Sequence, residues 1–184
     1  MRMGLEYSLL KKKDIDSTVK CVVKVFLYEE PMTKSLGITE SEFKFFIDII
    51  CNGMATKKMS YICKNDDKVV GFCLNEDLIS SPSKELNQVT YKMNPIFKIL
   101  EKLDTNYLKN KKAKVNSFLH LFMVGSLPEY RQCGIAKELV RKSINLANKK
   151  SFERIVVEAT NVKSQNLLRN HFQFRTIQKV DYKT

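Results

Sequence analysis

Six consecutive residues, Arg131, Gln132, Cys133, Gly134, Ile135 and Ala136, are the part of this chain whose types and spacing speak most directly of chemistry. They lie between an apolar run from Phe118 to Val124 and a segment whose apolar residues recur at helical intervals. Small residues at 134 and 136 let the backbone approach an anion closely, and the free amides and positive dipole end of a following helix favour phosphate charge. A pyrophosphate suits such a corner. The loop has neither the lysine-serine ending of a nucleoside-triphosphate loop nor the three glycines of a dinucleotide fingerprint. With a single glycine, a plain strand-to-helix turn is the competing reading. His120 and His171 are single histidines within apolar stretches, with no carboxylate or cysteine cluster to accompany them, so no metal is expected. Cys133 lacks a neighbouring histidine to lower its pKa and reads as a bystander in the loop.

The elements that must position this loop follow from periodicity. Glu6 to Leu10 alternates as an edge strand, and Ile15, Val19, Val22, Val23 and Phe26 form one apolar stripe of a helix capped by Asp14 or Asp16. That helix must end before Pro31, which predicts a loop from Glu29 to Ile38. A second helix is predicted from Thr39 or Ser41 to about Asn52 and Gly53. Ser60 to Lys64 and Lys68 to Leu74, joined by Asn65, Asp66 and Asp67, read as a hairpin. Residues Asn75 to Lys92 read as a polar loop and Pro95 to Leu108 as a short helix. From Phe118 the pattern predicts strand, loop, helix, then a strand at Ile155 to Ala159, a helix at Ser164 to Asn170 and a last strand at Phe174 to Val180. The fold class expected is mixed α/β.

The chain has 184 residues, which suits a single domain over 1–184 with one core. Its 43% hydrophobic and 28% charged content excludes a disordered or fibrous protein. No apolar run approaches the ~20 residues of a membrane span, and the first residues lack the apolar stretch of a secretion signal, so a cytoplasmic location and no membrane partner are expected. Five cysteines, odd in number and widely spaced, form no disulfide or zinc framework. A formal net charge of +12 attracts polyanions at long range. The lysine clusters are scattered as solvated turns and helix ends are, which reads against a nucleic-acid track.

Arg131, Gly134 and Ala136 resemble the acetyl-CoA loop of the GCN5-related N-acetyltransferase (GNAT) superfamily, and the likeness extends to Phe118–Ser126 with Pro128 and Tyr130 before the loop and to Ile155–Asn170 after it. Phe26, Glu29, Glu30, Pro31, Met32, Leu36 and Gly37 are similar to the acidic-proline loop of the arylalkylamine N-acetyltransferase-like group. The resemblance implies a central, mostly antiparallel sheet that splays open beside the loop. It implies Glu30 as catalytic base, with Thr160 and Ser164 as a hydroxyl pair four residues apart. It also implies that Arg131, Gln132, Cys133, Gly134, Ile135 and Ala136 bind the pyrophosphate, with Val124, Gly125 and Ser126 holding pantetheine and the carbonyl. Acetyl-CoA is then the acyl donor and a small primary amine, an arylalkylamine at the group level, the acceptor. The sequence departs from the family in having Leu168 where many members carry a tyrosine acid and Gln173-Phe174 for the usual Gly-Phe. It also ends at Thr184 where members continue into a final strand, so the expectation is a shortened C-terminal end.

These roles agree with the chemistry. An amine is protonated at neutral pH and cannot attack a thioester until a carboxylate, directly or through water, removes a proton. Backbone amides at the end of a strand can stabilise the oxyanion. Each residue also has a plainer reading: Glu30 as a solvated loop carboxylate, Thr160 and Ser164 as a helix cap and first-turn polar residue. Two other functions stay open on sequence alone. One is a non-catalytic basic module on the same fold that contacts a polyanion; the other is acetylation of protein lysines or N-termini.

Overall fold

The structure is a computed structural model that describes residues 4–80 and 91–181. Five strands, β1 (Leu5–Leu9), β2 (Tyr61–Asn65), β3 (Lys68–Asp77), β4 (Phe118–Ser126) and β5 (Arg154–Val156), form one sheet in the order β1-β2-β3-β4-β5. The first three pairings are antiparallel and β4 runs parallel to β5, giving the mixed, mostly antiparallel sheet expected. Among the described residues six α-helices accompany it: α1 (Ile15–Glu29), α2 (Pro31–Ser35), α3 (Glu40–Lys57), α4 (Asn94–Leu108), α5 (Ile135–Lys149) and α6 (Val162–Phe172). No helix among the described residues is long and apolar enough to cross a membrane.

The two faces of the sheet are distinguished by what β3 touches. Cys73 and Asn75 meet Ser143 of α5, and a Cβ at Gly71 would lie 2.4 Å from Ile135 Cγ2 of the same helix. Phe72, one residue out of phase, meets Phe26 of α1 at 6.0 Å between ring centroids. So α5 covers one face and α1 the other, as the period-2 alternation of a strand requires. Ile135, Leu139, Val140 and Leu146 of α5 are buried against the sheet, each contributing about 1.5–3 kcal/mol by leaving water.

Four expectations are corrected. Glu29–Ile38 is not all loop: Pro31 occupies the first turn of α2, where its missing N–H costs nothing, and Glu30 caps it. β3 continues through Asn75, Glu76 and Asp77, because each polar side chain finds partners in the fold. Asn75 bonds Met59 O and Ser143 Oγ, Glu76 bonds His120, and Asp77 accepts from the Ile79 and Asn116 amides. Phe174–Val180 is not a strand: among the described residues no strand lies beside it to complete a ladder, and Gln178 instead donates to Leu103 O of α4. Residues 81–90 of the expected loop lie outside the described residues. The second helix runs past Gly53 because Met54 and Ala55 extend its buried stripe, and it stops where Lys58 turns left-handed at φ 52°.

Gly71→Ala should destabilise the fold by about 1–3 kcal/mol, because the new methyl group meets Ile135 Cγ2 and, at 3.3 Å, the Gly125 carbonyl. Chemical denaturation measures this, and a neutral effect would show that α5 rests on the sheet more loosely than described.

Candidate active site

The site begins where two parallel strands part. β4 and β5 pair only through Phe118, Leu119 and His120 with Arg154, Ile155 and Val156. β4 then continues for six residues with no strand partner on that edge among the described residues, while 157–160 are irregular backbone. A bulge marks the same place: Met123 pairs with Leu74 and Leu121 with Asn75, leaving Phe122 as the extra residue of β4. Between the parted segments, α1, α3 and α4, lies a cavity of about 550 Å³. Five phenylalanines, Phe26, Phe43, Phe46, Phe97 and Phe122, line it together with Glu29, Glu30 and Glu158.

The loop after β4 closes one end. Gln132 and Gly134 both take left-handed backbone, φ 63° and 74°, in the loop that leads into α5. Nothing lies within 4 Å of a Cβ built on Gly134, so the space in front of the first turn of α5 is open. Arg131 forms an ion pair with Glu29, tying the loop to the end of α1. Gln132 and Ala136 line the cavity, as do Val124, Gly125 and Ser126. Cys133 is exposed, its Sγ 3.5 Å from Arg131 O, and Ile135 is buried under the sheet, so its side chain belongs to the core while its amide opens the helix.

Glu30, Thr160 and Ser164 all line the same cavity. Glu30 is no solvated loop carboxylate: it is 9% exposed, and its Oε2 accepts from Thr33 N at 2.6 Å and Thr33 Oγ1 at 2.8 Å. Its Oε1 is buried with no hydrogen-bond partner. The α6 cap is Asn161, whose Oδ1 accepts from Lys163 N at 2.8 Å; Thr160 precedes it, and Ser164 donates to Asn161 O at 2.7 Å.

Sequence reasoning missed one cluster entirely, and the expectation that His120 has no carboxylate company is corrected. His120 Nδ1 lies 3.0 Å from Glu76 Oε1 and its Nε2 2.5 Å from Glu158 Oε2. Glu76 stands directly opposite His120 in the β3–β4 ladder, and Val156, opposite His120 on β5, precedes Glu158 by two residues. The array therefore crosses the three strands at the last rung before the sheet parts. Burial opposes a charged imidazole, yet Glu158 and Glu76 raise the His120 pKa well above 6.5. Burial likewise opposes ionisation of Glu158, but His120 and a hydrogen bond from Asp104 of α4 hold its pKa below 4.5. The signal available in the sequence was His120 inside the apolar run Phe118 to Val124; Glu76 fell in a stretch that read as loop. No cluster among the described residues is arranged to hold a metal ion.

A sheet parted beside a loop that feeds a helix N-terminus, with a carboxylate and an apolar cavity next to it, is the architecture of an acyl-CoA-dependent N-acyltransferase. The family profile described as Acetyltransferase (GNAT) family matches residues 27–172, and the chain belongs to that family. No curated protein matches it in sequence. Among solved structures, the C-terminal condensation domain of Ebony in complex with beta-alanyl-dopamine superposes with a TM-score of 0.83 at 18% identity, over 92% of this chain and 82% of that one. Arylalkylamine N-acetyltransferase 2 from Aedes aegypti gives 0.72 at 20% identity, over 91% and 81%. The Drosophila melanogaster polyamine N-acetyltransferase, an enzyme that catalyses formation of N-acetylagmatine, gives 0.71 at 14% identity, over 91% and 81%. At such identities these likenesses establish the fold.

The array makes stability depend on pH in a definite sense. The His120 contribution is full below 6.5 and is lost as pH rises through its raised folded value; the Glu158 contribution is present above 4.5 and is lost as pH falls through its depressed one. Denaturation of wild type and His120→Gln across pH should therefore show a gap that is widest between those two values, on the order of 3–5 kcal/mol, and narrower on either side. A gap independent of pH would mean that His120 is not held as the imidazolium.

Proposed function

We propose that this chain transfers the acetyl group of acetyl-CoA to the primary amine of a small arylalkylamine, with Glu30 as general base. The observation that carries the reading is Glu30 itself: a buried carboxylate with one oxygen held by Thr33 and the other without a partner, lining a phenylalanine-walled cavity where β4 and β5 part. One oxygen fixes the orientation and the other is left to accept a proton.

The loop fits coenzyme A. Open space at Gly134, two left-handed residues and the uncapped first turn of α5 form a cradle for phosphate, with Arg131 beside it. Gln132, Cys133, Ile135 and Ala136 would supply amides there. Along Val124, Gly125 and Ser126 the β4 edge facing away from β3 has no strand partner among the described residues, so alternate backbone groups are available to the amide-bearing pantetheine arm and the acyl oxygen. Acetyl-CoA supplies an electrophilic thioester carbon and a leaving thiolate, whose thiol pKa is about 8.5. Thr160 and Ser164 line the same cavity. Ser164 already donates to Asn161 O, so its oxygen is oriented to accept. Glu30 removes the amine's proton, and the phenylalanines exclude water and hold an aryl ring.

The arylalkylamine assignment is supported by this aromatic lining and by the relatives' names. A thiol-release assay with acetyl-CoA and a panel of arylalkylamines, agmatine and polyamines tests it, with the arylalkylamines expected to give the highest kcat/KM. Glu30→Gln should lower kcat by about 10²- to 10⁴-fold; full rate across the pH profile would remove Glu30 from the mechanism while leaving the activity in place.

A further inference from the structure

We propose that Phe26, Phe97 and Phe122 form the subsite that receives the acceptor's aryl ring and selects it over a saturated group of equal bulk. The inference rests on the acetyl-transfer reading for the acceptor's being an amine.

The five phenylalanines around the cavity are not equivalent. Phe43 and Phe46 are 0% exposed, so they have no surface to give a ligand. Phe26, Phe97 and Phe122 are partly exposed and come from α1, α4 and β4. Each of these three is braced by a buried ring. Phe26 packs on Phe72 at 6.0 Å between centroids, Phe97 on Phe46 at 5.7 Å, and Phe122 on the His120 imidazole at 5.6 Å with the planes at 73°. Phe72 and Phe46 are 0% exposed and His120 is 4% exposed. A ring already held in this way loses little freedom when a ligand covers its remaining surface, so the contact it makes is preorganised.

Phe122 owes its place to the bulge. Phe72, Leu74 and Glu76 stand two apart on β3 and share one face of the sheet. Their partners on β4 are Gly125, Met123 and His120, so the last step takes three residues of β4 where two would do. Phe122 is the residue added, next to the rung where β4 and β5 part. An aryl ligand gains edge-to-face or offset contacts with such rings beyond the area it buries, and a saturated ring does not. Aromatic faces also attract cations. Glu30, with an oxygen free of partners on the same cavity, is the stronger partner for the ammonium end, which leaves the three rings to the apolar end.

Calorimetry on the full chain, with coenzyme A present, compares 2-phenylethylamine with 2-cyclohexylethylamine. The two share their ammonium and their linker, so the ratio of affinities reports the ring. Wild type should bind the phenyl compound about 2- to 10-fold more tightly. Phe97→Leu and Phe122→Leu should each lower that ratio, and the double variant should bring it near unity while affinity for coenzyme A is kept. A second measurement needs no variant: in wild type the phenyl protons of the bound amine should give nuclear Overhauser effects to the rings of Phe26, Phe97 and Phe122 and none to Phe43 or Phe46. A wild-type ratio at or below unity, a ratio unchanged in the double variant, or Overhauser effects that miss the three rings would overturn the proposal. So would effects to these rings from the methylene beside the nitrogen in place of the phenyl protons, which would seat the cation there. Thiol release from acetyl-CoA with a ratio of unity would sink the aryl subsite and leave acetyl transfer standing. A ring-dependent ratio without thiol release would do the reverse.

Discussion

The parting of β4 from β5 after three paired residues is the constraint on which the rest of the molecule depends. A parallel pair that continued to zip would satisfy its own backbone and close the only space between these strands. Here the bulge at Phe122 turns β4 at the rung where pairing ends, and the Glu76–His120–Glu158 array holds β3, β4 and the end of β5 together at that same rung. The array therefore fixes where the opening starts. Beyond it, unpaired backbone and a cavity replace a ladder, an arrangement tolerated only where something else can use the exposed edge.

Charge is distributed in a way the total conceals. The chain carries a net +12, yet the cavity gathers Glu29, Glu30 and Glu158, and one of its two basic side chains is engaged by Glu29. Long-range attraction suits a phosphate-rich donor approaching the loop before α5, whereas the local carboxylates suit a cationic acceptor at short range. The two preferences coexist because burial weakens screening and makes the nearest charges dominate.

Much of the fold was legible from residue patterns. The loop from Arg131 to Ala136 and helix α5 follow from a glycine and an apolar stripe that involve neighbours along the chain, and Thr39 with Glu42 marks the start of α3 by a reciprocal local cap. Glu30 was legible as a candidate only through the resemblance of its acidic-proline segment to a known family, and its capping of α2 was not, because a proline was read as the end of helix and also served as the start of the next. Asn75, Glu76 and Asp77 look like loop residues until their partners at 59, 143, 120 and 116 are known. A polar run is hidden in a strand when its hydrogen bonds are all made at long range.

By itself, then, the sequence determined the presence and order of most local elements, which faces are apolar, and the small residues that leave room before α5, while several helix caps and stops had to be read from the fold. These rest on interactions within a few positions, so spacing alone encodes them. Tertiary structure decided the rest. Only folding sets Glu76 opposite His120, brings Glu158 to its other nitrogen, and turns Glu30, Phe46, Phe97 and Phe122 toward one cavity. The physical reason is that the charge state of a buried histidine, and the environment of a buried carboxylate, depend on groups tens of residues away that no periodicity records.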